Sequence, residues 1–168
     1  MSLPMYDVSI PAFLRGFRNL RAVLDKGVAH AESTGFNPAE LLQARLYVDM
    51  YPLVGQVQRA SDTAKGCAAR LAGIEAPAFA DNEASLHDLH ARIDKTVAFL
   101  ESVTPMQLEG SEERIIELKL RPEPVRFSGK AYLLEFALPN FYFHLTTAYD
   151  ILRHRGVPLG KRDYLGLQ

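Results

Sequence analysis

The chain of 168 residues holds a single cysteine, Cys67, so no intramolecular disulfide can form and a reducing compartment is expected. It also lacks an excess of either charge. With 19 basic and 20 acidic residues the net charge is −1, and no global field draws the chain to nucleic acid or to an anionic membrane surface. No apolar run approaches the ~20 residues that a membrane-spanning helix needs. The longest, 132–138, is broken by Glu135 and followed by Pro139. The first ten residues carry neither a basic stretch nor an apolar one, so no secretory leader is expected and the cytoplasm is the expected location. Missing as well are a glycine-rich phosphate loop, Cys-x-x-Cys, Gly-x-Ser-x-Gly and His-Glu-x-x-His. Nothing in the sequence points to a nucleotide, flavin or haem.

What is present is apolar and periodic. Apolar residues make up 48% of the chain, enough to bury a core, and the length fits one domain over 1–168. Phe13, Phe17, Leu20, Leu24 and Ala31 fall on one helical stripe. Ser9 is the expected N-cap of that helix, Pro11 lies in its first turn and Gly35 ends it. Gly16 and Gly27 inside it weaken the helix or permit close packing. Asn37-Pro38 starts a short helix through Leu41 and Leu42. Leu46, Met50, Leu53, Val57, Ala60, Ala64, Cys67 and Leu71 alternate steps of four and three, an a/d seam closed by Gly73. Leu86, Leu89, Ile93, Val97 and Leu100 predict a third helix from about Asp81 or Asn82 to Thr104-Pro105. Ile115–Leu120 and Val125–Phe127, alternating around Arg121-Pro122-Glu123-Pro124, predict an edge hairpin near 113–128. Leu134, Leu138, Phe141, Leu145, Ala148 and Leu152 form a second seam, kinked or restarted at Pro139, with Asn140 placed to accept freed donors. The tail from Leu159 reads as irregular. Four such stripes need one another for cover, so an all-α four-helix bundle follows. The connection 104–128 is long enough to cross from one end of it to the other.

The residues that could carry chemistry are few. Cys67 sits in a seam as a small apolar residue, with a reactive thiol as the alternative. His30 suits the dipole at the end of the first helix. His87 and His90 are spaced to chelate, but Asp88, Arg92 and Asp94 around them suggest an exposed face. Asp150 and His154 lie one turn apart, a spacing that serves either one divalent ion or an ordinary Asp–His pair. His144 lies beside the core seam. Asp49, Gln56, Gln58, Arg59 and Asp62 flank the second helix, lining a pocket or the surface. Tyr142 and Tyr149, with Phe141 and Phe143, offer core packing, an apolar ligand pocket or a dimer face.

Three segments carry a resemblance: QVQRASDTAKGCAARLAG (56–73), ARIDKTVAFL (91–100) and above all LPNFYFHLTTAYDILRHRGVPLGKRDYLG (138–166). They resemble an uncharacterised bacterial and fungal family, domain-of-unknown-function family 1993, related to the DinB-like (YfiT-like) four-helix bundles proposed to be metalloenzymes. The resemblance implies that fold over nearly the whole chain. It also implies a position for a three-histidine site, with one ligand from the second helix and a His-x-x-x-His pair, often followed by Arg-Gly, near the end of the fourth. His154-Arg155-Gly156 matches the second histidine of that pair. Asp150 stands at the first, and Gln56 or Gln58 at the second-helix position. Gln is uncommon on zinc, so the tight metal site is expected to be lost. Three functions follow: a non-catalytic or small-ligand-binding bundle, a degenerate zinc- or nickel-dependent thiol transferase or hydrolase, and a structural or stress-related homodimer. The first is favoured, with no cofactor expected.

Overall fold

The computed structural model describes residues 3–119 and 122–167. Helix α1 (Ile10–Thr34) begins with Pro11 in its first turn and ends at Gly35, whose φ of 70° suits a residue without Cβ. Ser9 precedes it but does not cap it. Its hydroxyl turns back to donate to the Met5 carbonyl at 2.6 Å. Asn37 does cap α2 (Pro38–Gln43), accepting from the Ala39 N–H at 3.0 Å.

Helix α3 (Leu53–Ala72) is shorter than the seam suggests. Leu46 and Met50 lie in the loop before it, because Pro52 has no N–H for a helical ladder and holds the residue before it extended. Helix α4 (Leu86–Ser102) also starts later than expected. Its N-terminus is fixed by a reciprocal box: Ser85 accepts from the Asp88 N–H at 3.1 Å and Asp88 accepts from the Ala84 N–H at 3.0 Å.

Strands β1 (Ile115–Leu118) and β2 (Val125–Ser128) pair antiparallel, Ile115 opposite Ser128 and Leu118 opposite Val125. The expected hairpin is there; Leu120 and Arg121 lie outside the described residues. Ile116 and Leu118 point into the core, while Ile115 and Glu117 face out.

The last long helix is assembled from three parts. A single turn α5 (Gly129–Ala131) runs into a wide π segment, Tyr132–Ala137, and then α6 (Leu138–His154). Pro139 explains the widening, since it leaves the Glu135 carbonyl without its usual donor and the preceding turns relax outward. Asn140 does not serve those freed groups; its amide donates to the Thr63 hydroxyl at 2.7 Å on α3. The tail is less irregular than its composition suggests, because α7 (Lys161–Leu165) folds back on α1. Tyr164 stacks edge-on to Tyr149 at 5.9 Å, and its carbonyl accepts from Asn19 at 3.0 Å.

Side-chain pairs set the directions. Gln56 meets His144, Thr63 meets Asn140 and Arg70 meets Tyr132, so α3 and the last helix are antiparallel. Gly16 lies against Phe141 and Gly27 against Leu152, so α1 and α6 are parallel. A Cβ on Gly16 would stand 2.5 Å from the Phe141 ring, so its absence permits the close approach. Arg21–Asp94 and Asp25–His90 make α1 and α4 antiparallel. It follows that α3 and α4 run the same way and the crossing connection is 74–85. The segment 103–128 stays at one end, where the Ser111 carbonyl presses on Gly129. Phe13, Phe17, Phe141 and Tyr132 are the largest fully buried side chains of the core between these helices.

Candidate functional site

The antiparallel seam of α3 and α6 brings two of the sequence candidates together. Gln56 is buried, and its amide nitrogen donates to the Tyr51 carbonyl at 3.0 Å. That bond fixes the amide, so its oxygen faces His144 Nδ1 at 2.8 Å and can only accept. His144 therefore carries its proton on Nδ1. Burial, and then the positive charge of Arg59, push the imidazole down to about 4, so it is neutral at neutral pH. Its ring stands edge-on to Phe143 at 5.3 Å. Two neutral groups satisfying each other make a seam that is specified rather than reactive.

The other members of the expected ligand set are elsewhere. Asp150 and His154 are both on the exposed side of α6 and share no hydrogen bond or ion pair among the described residues. Asp150 is six residues beyond His144, about 9 Å along the axis, and His154 about 15 Å. Among the described residues no three His, Cys, Asp or Glu side chains converge to hold an ion. Gln56 already has its amide oxygen taken by His144 and its nitrogen by Tyr51. The residues present do not fit the divalent metal that the fold class implies.

The remaining candidates also separate. Gln58 donates to Glu83 at 2.7 Å in a different cluster. Tyr142 packs edge-on to Phe141 at 5.5 Å. Tyr149 borders a void of only about 10 Å³ between α1 and α6, room for about one water. Little space is left between α1 and α6 at this point.

Sequence reading missed the most heavily bonded side chain in the bundle. Arg92, expected on an exposed face, is buried, its side chain 1% accessible. It binds Asp62 at 3.0 Å, Asp81 at 2.9 Å, Glu83 at 2.8 Å and the Ala80 carbonyl at 3.2 Å. Lys65 binds Asp62 at 2.9 Å, and its ammonium sits 5.0 Å from the Phe79 ring. This network clamps the crossing segment 74–85 onto α3 and α4. Burial alone would raise the Glu83 carboxyl, but the bonds from Arg92 and Gln58 outweigh it and hold the group below the usual range. A signal was available: Arg92 lies three residues after Leu89 and four before Thr96, on the edge of the apolar stripe.

A large opening lies away from both clusters, at the end where α1 and α5 begin and α4 finishes. The segment Leu3–Val8 lies over it, the turns at 105–112 form one wall, and Leu133 and Leu134 of the π segment form the other. The cleft holds about 760 Å³, within the range of small-molecule sites, of roughly 300–1,000 Å³. Met5, Leu108 and Leu133 are buried there, while Leu3 and Leu134 remain exposed. Asp7, Glu109, Glu112 and Lys130 contribute its charges.

Residues 5–165 match the family described as a domain of unknown function, DUF1993. The chain belongs to that family. No curated protein matches it. Among solved structures it is similar to a DinB family member protein from Shewanella denitrificans, with 38% identity and a TM-score of 0.92 over 98% of this chain and 93% of that one. The DinB-like bundle with a small antiparallel hairpin is thus the fold of this family member. No relative supplies a defined activity, and no described helix is long and apolar enough to cross a membrane.

Proposed function

We propose that this protein is a non-catalytic bundle that binds a small molecule in the cleft beneath Leu3–Val8. The observation that carries this reading is the cleft itself, a space of about 760 Å³ with a mostly apolar lining, whereas the cleft of about 370 Å³ beside Arg92 is mostly polar. The α3–α6 seam, where a DinB-like enzyme would be examined first, offers a neutral amide and a neutral imidazole bonded to each other. Neither is poised for thiol transfer or hydrolysis. Burial pushes the Cys67 thiol well up, so it stays protonated, in keeping with a structural cysteine in a reducing, cytoplasmic setting.

Binding of a neutral apolar probe tests the reading. Titration of 1-octanol should give saturable binding and a rise in melting temperature. Leu3→Ser with Leu134→Ser, both at exposed positions, should weaken that binding about tenfold without lowering the melting temperature of the free protein appreciably. Absence of saturable binding would remove the reading.

A second reading, a homodimer, rests on a different surface. Tyr47, Val48 and Tyr51 in the loop before α3, and Phe143 on α6, are all more than half exposed. Tyr51, through its carbonyl, and Phe143, through its ring, both border the Gln56–His144 pair, which makes this region the candidate apolar face. A dimer mass in light scattering that Phe143→Asp converts to a monomer supports this reading, and a monomeric wild type counts against it.

A further inference from the structure

We propose that the cleft selects primary amines: molecules with an apolar body and one ammonium group. This rests on the ligand-binding reading above and adds the class of ligand. Three carboxylates, Asp7, Glu109 and Glu112, border the cleft against one ammonium, Lys130, a net charge of −2. The whole chain carries only −1, so negative charge is concentrated at this opening. None of the four is in an ion pair among the described residues. Asp62, Asp81 and Glu83, by contrast, are held by Arg92, Asp94 by Arg21, Asp163 by Lys26 and Glu117 by Arg126.

The lining of the cleft beside these carboxylates is mostly apolar. Leu108 and Leu133 are almost fully buried, and Val8 lines the wall. A hydrocarbon body removes apolar surface from water there. Its ammonium stays at the rim, where unpaired carboxylates favour a cation over a neutral or anionic head of the same size. A carboxylate head would instead meet three like charges. The rim is open to water, so the preference is modest and sensitive to salt.

The test compares three probes with one eight-carbon body, 1-octylamine, 1-octanol and octanoate, by calorimetric titration of the full chain at pH 7. The amine should bind about tenfold more tightly than the alcohol, with octanoate the weakest. Glu109→Gln with Glu112→Gln should erase the difference between amine and alcohol while leaving alcohol binding unchanged. Salt at 0.5 M (about a 4 Å screening length) should shrink the wild-type preference in the same direction. Equal binding of amine and alcohol, or tighter binding of octanoate, overturns the amine proposal and leaves the cleft reading intact. If none of the three saturates, the cleft reading fails and the proposal fails with it.

Discussion

Along the α3–α6 seam the polar groups that enter the core are paired with one another, whereas at the opposite end of the bundle the charges around the cleft make no ion pair among the described residues. Gln56 holds His144, and Asn140 holds Thr63. On the other side of α3, Arg92 gathers three acids. Asp7, Glu109, Glu112 and Lys130 form no ion pair among the described residues. The contrast separates two uses of polarity. In the seams it specifies how helices align, because an unpaired buried group would be costly. At the cleft it contributes little to folding and is free to meet a ligand. Function is therefore sought where polar groups are unsatisfied, not where the fold's relatives would place a metal.

Substitutions break that comparison in a definite order. Arg92→Ala should cost the most, about 3 kcal/mol by denaturant unfolding, because it leaves the buried Glu83 carboxylate without its cation, while Asp62 keeps Lys65 and Arg59. Asp62 and Asp81 retain some access to water, which keeps the loss at the low end of that range.

Acid should act on the seam next. The His144 imidazole is lowered from 6.5 to about 4 in the folded state, so the unfolded chain takes up its proton first. Its contribution is complete above pH 6.5 and is lost as pH falls toward 4, roughly 3 kcal/mol in all. His90, also lowered chiefly by burial, titrates in the same sense beside Asp25, Asp94, Arg21 and His87. Comparing the wild type with His144→Leu between pH 7 and 4.5 isolates the first term; identical slopes would show that the imidazole is not held neutral.

A third change is smaller. Gln56→Leu orphans the His144 Nδ1–H and the Tyr51 carbonyl, and should cost about 1–3 kcal/mol. Smallest of all is the rim: Glu109→Gln with Glu112→Gln should leave unfolding free energy within about 0.5 kcal/mol of wild type. A large loss there would mean that the rim carboxylates are structural, and the contrast with the seams would disappear.

The bundle was legible because its stripes are long and regular. The fourth stripe holds from Phe141 to Leu152, but before Pro139 the buried positions are Leu133 and Ala137 rather than Leu134 and Leu138, because the widening over Tyr132–Ala137 shifts the inward face by one residue. The hairpin was legible from its alternation and prolines. Helix ends were not: Pro52 cut the second seam short, and the Ser85–Asp88 box moved the start of α4. The site was the least legible part. Periodicity marks where an apolar face lies but not whether a polar residue at its edge turns inward, so Arg92 read as surface. Gln56 and His144 were both noted, yet their meeting depends on the register of α3 against α6, which no local pattern sets. Asp150 and His154 share a turn and still face out. The cleft is built from three segments far apart in the chain, and only the fold brings 3–8, 105–112 and 130–134 together.

Methyl-resolved NMR during titration with 1-octylamine is the most direct measurement of the central claim. Saturable shifts at Val8, Leu108, Leu133 and Leu134, with Val54 and Val57 beside Gln56 unmoved, are the predicted result. Shifts centred on Val54 and Val57, or none that saturate, would contradict it.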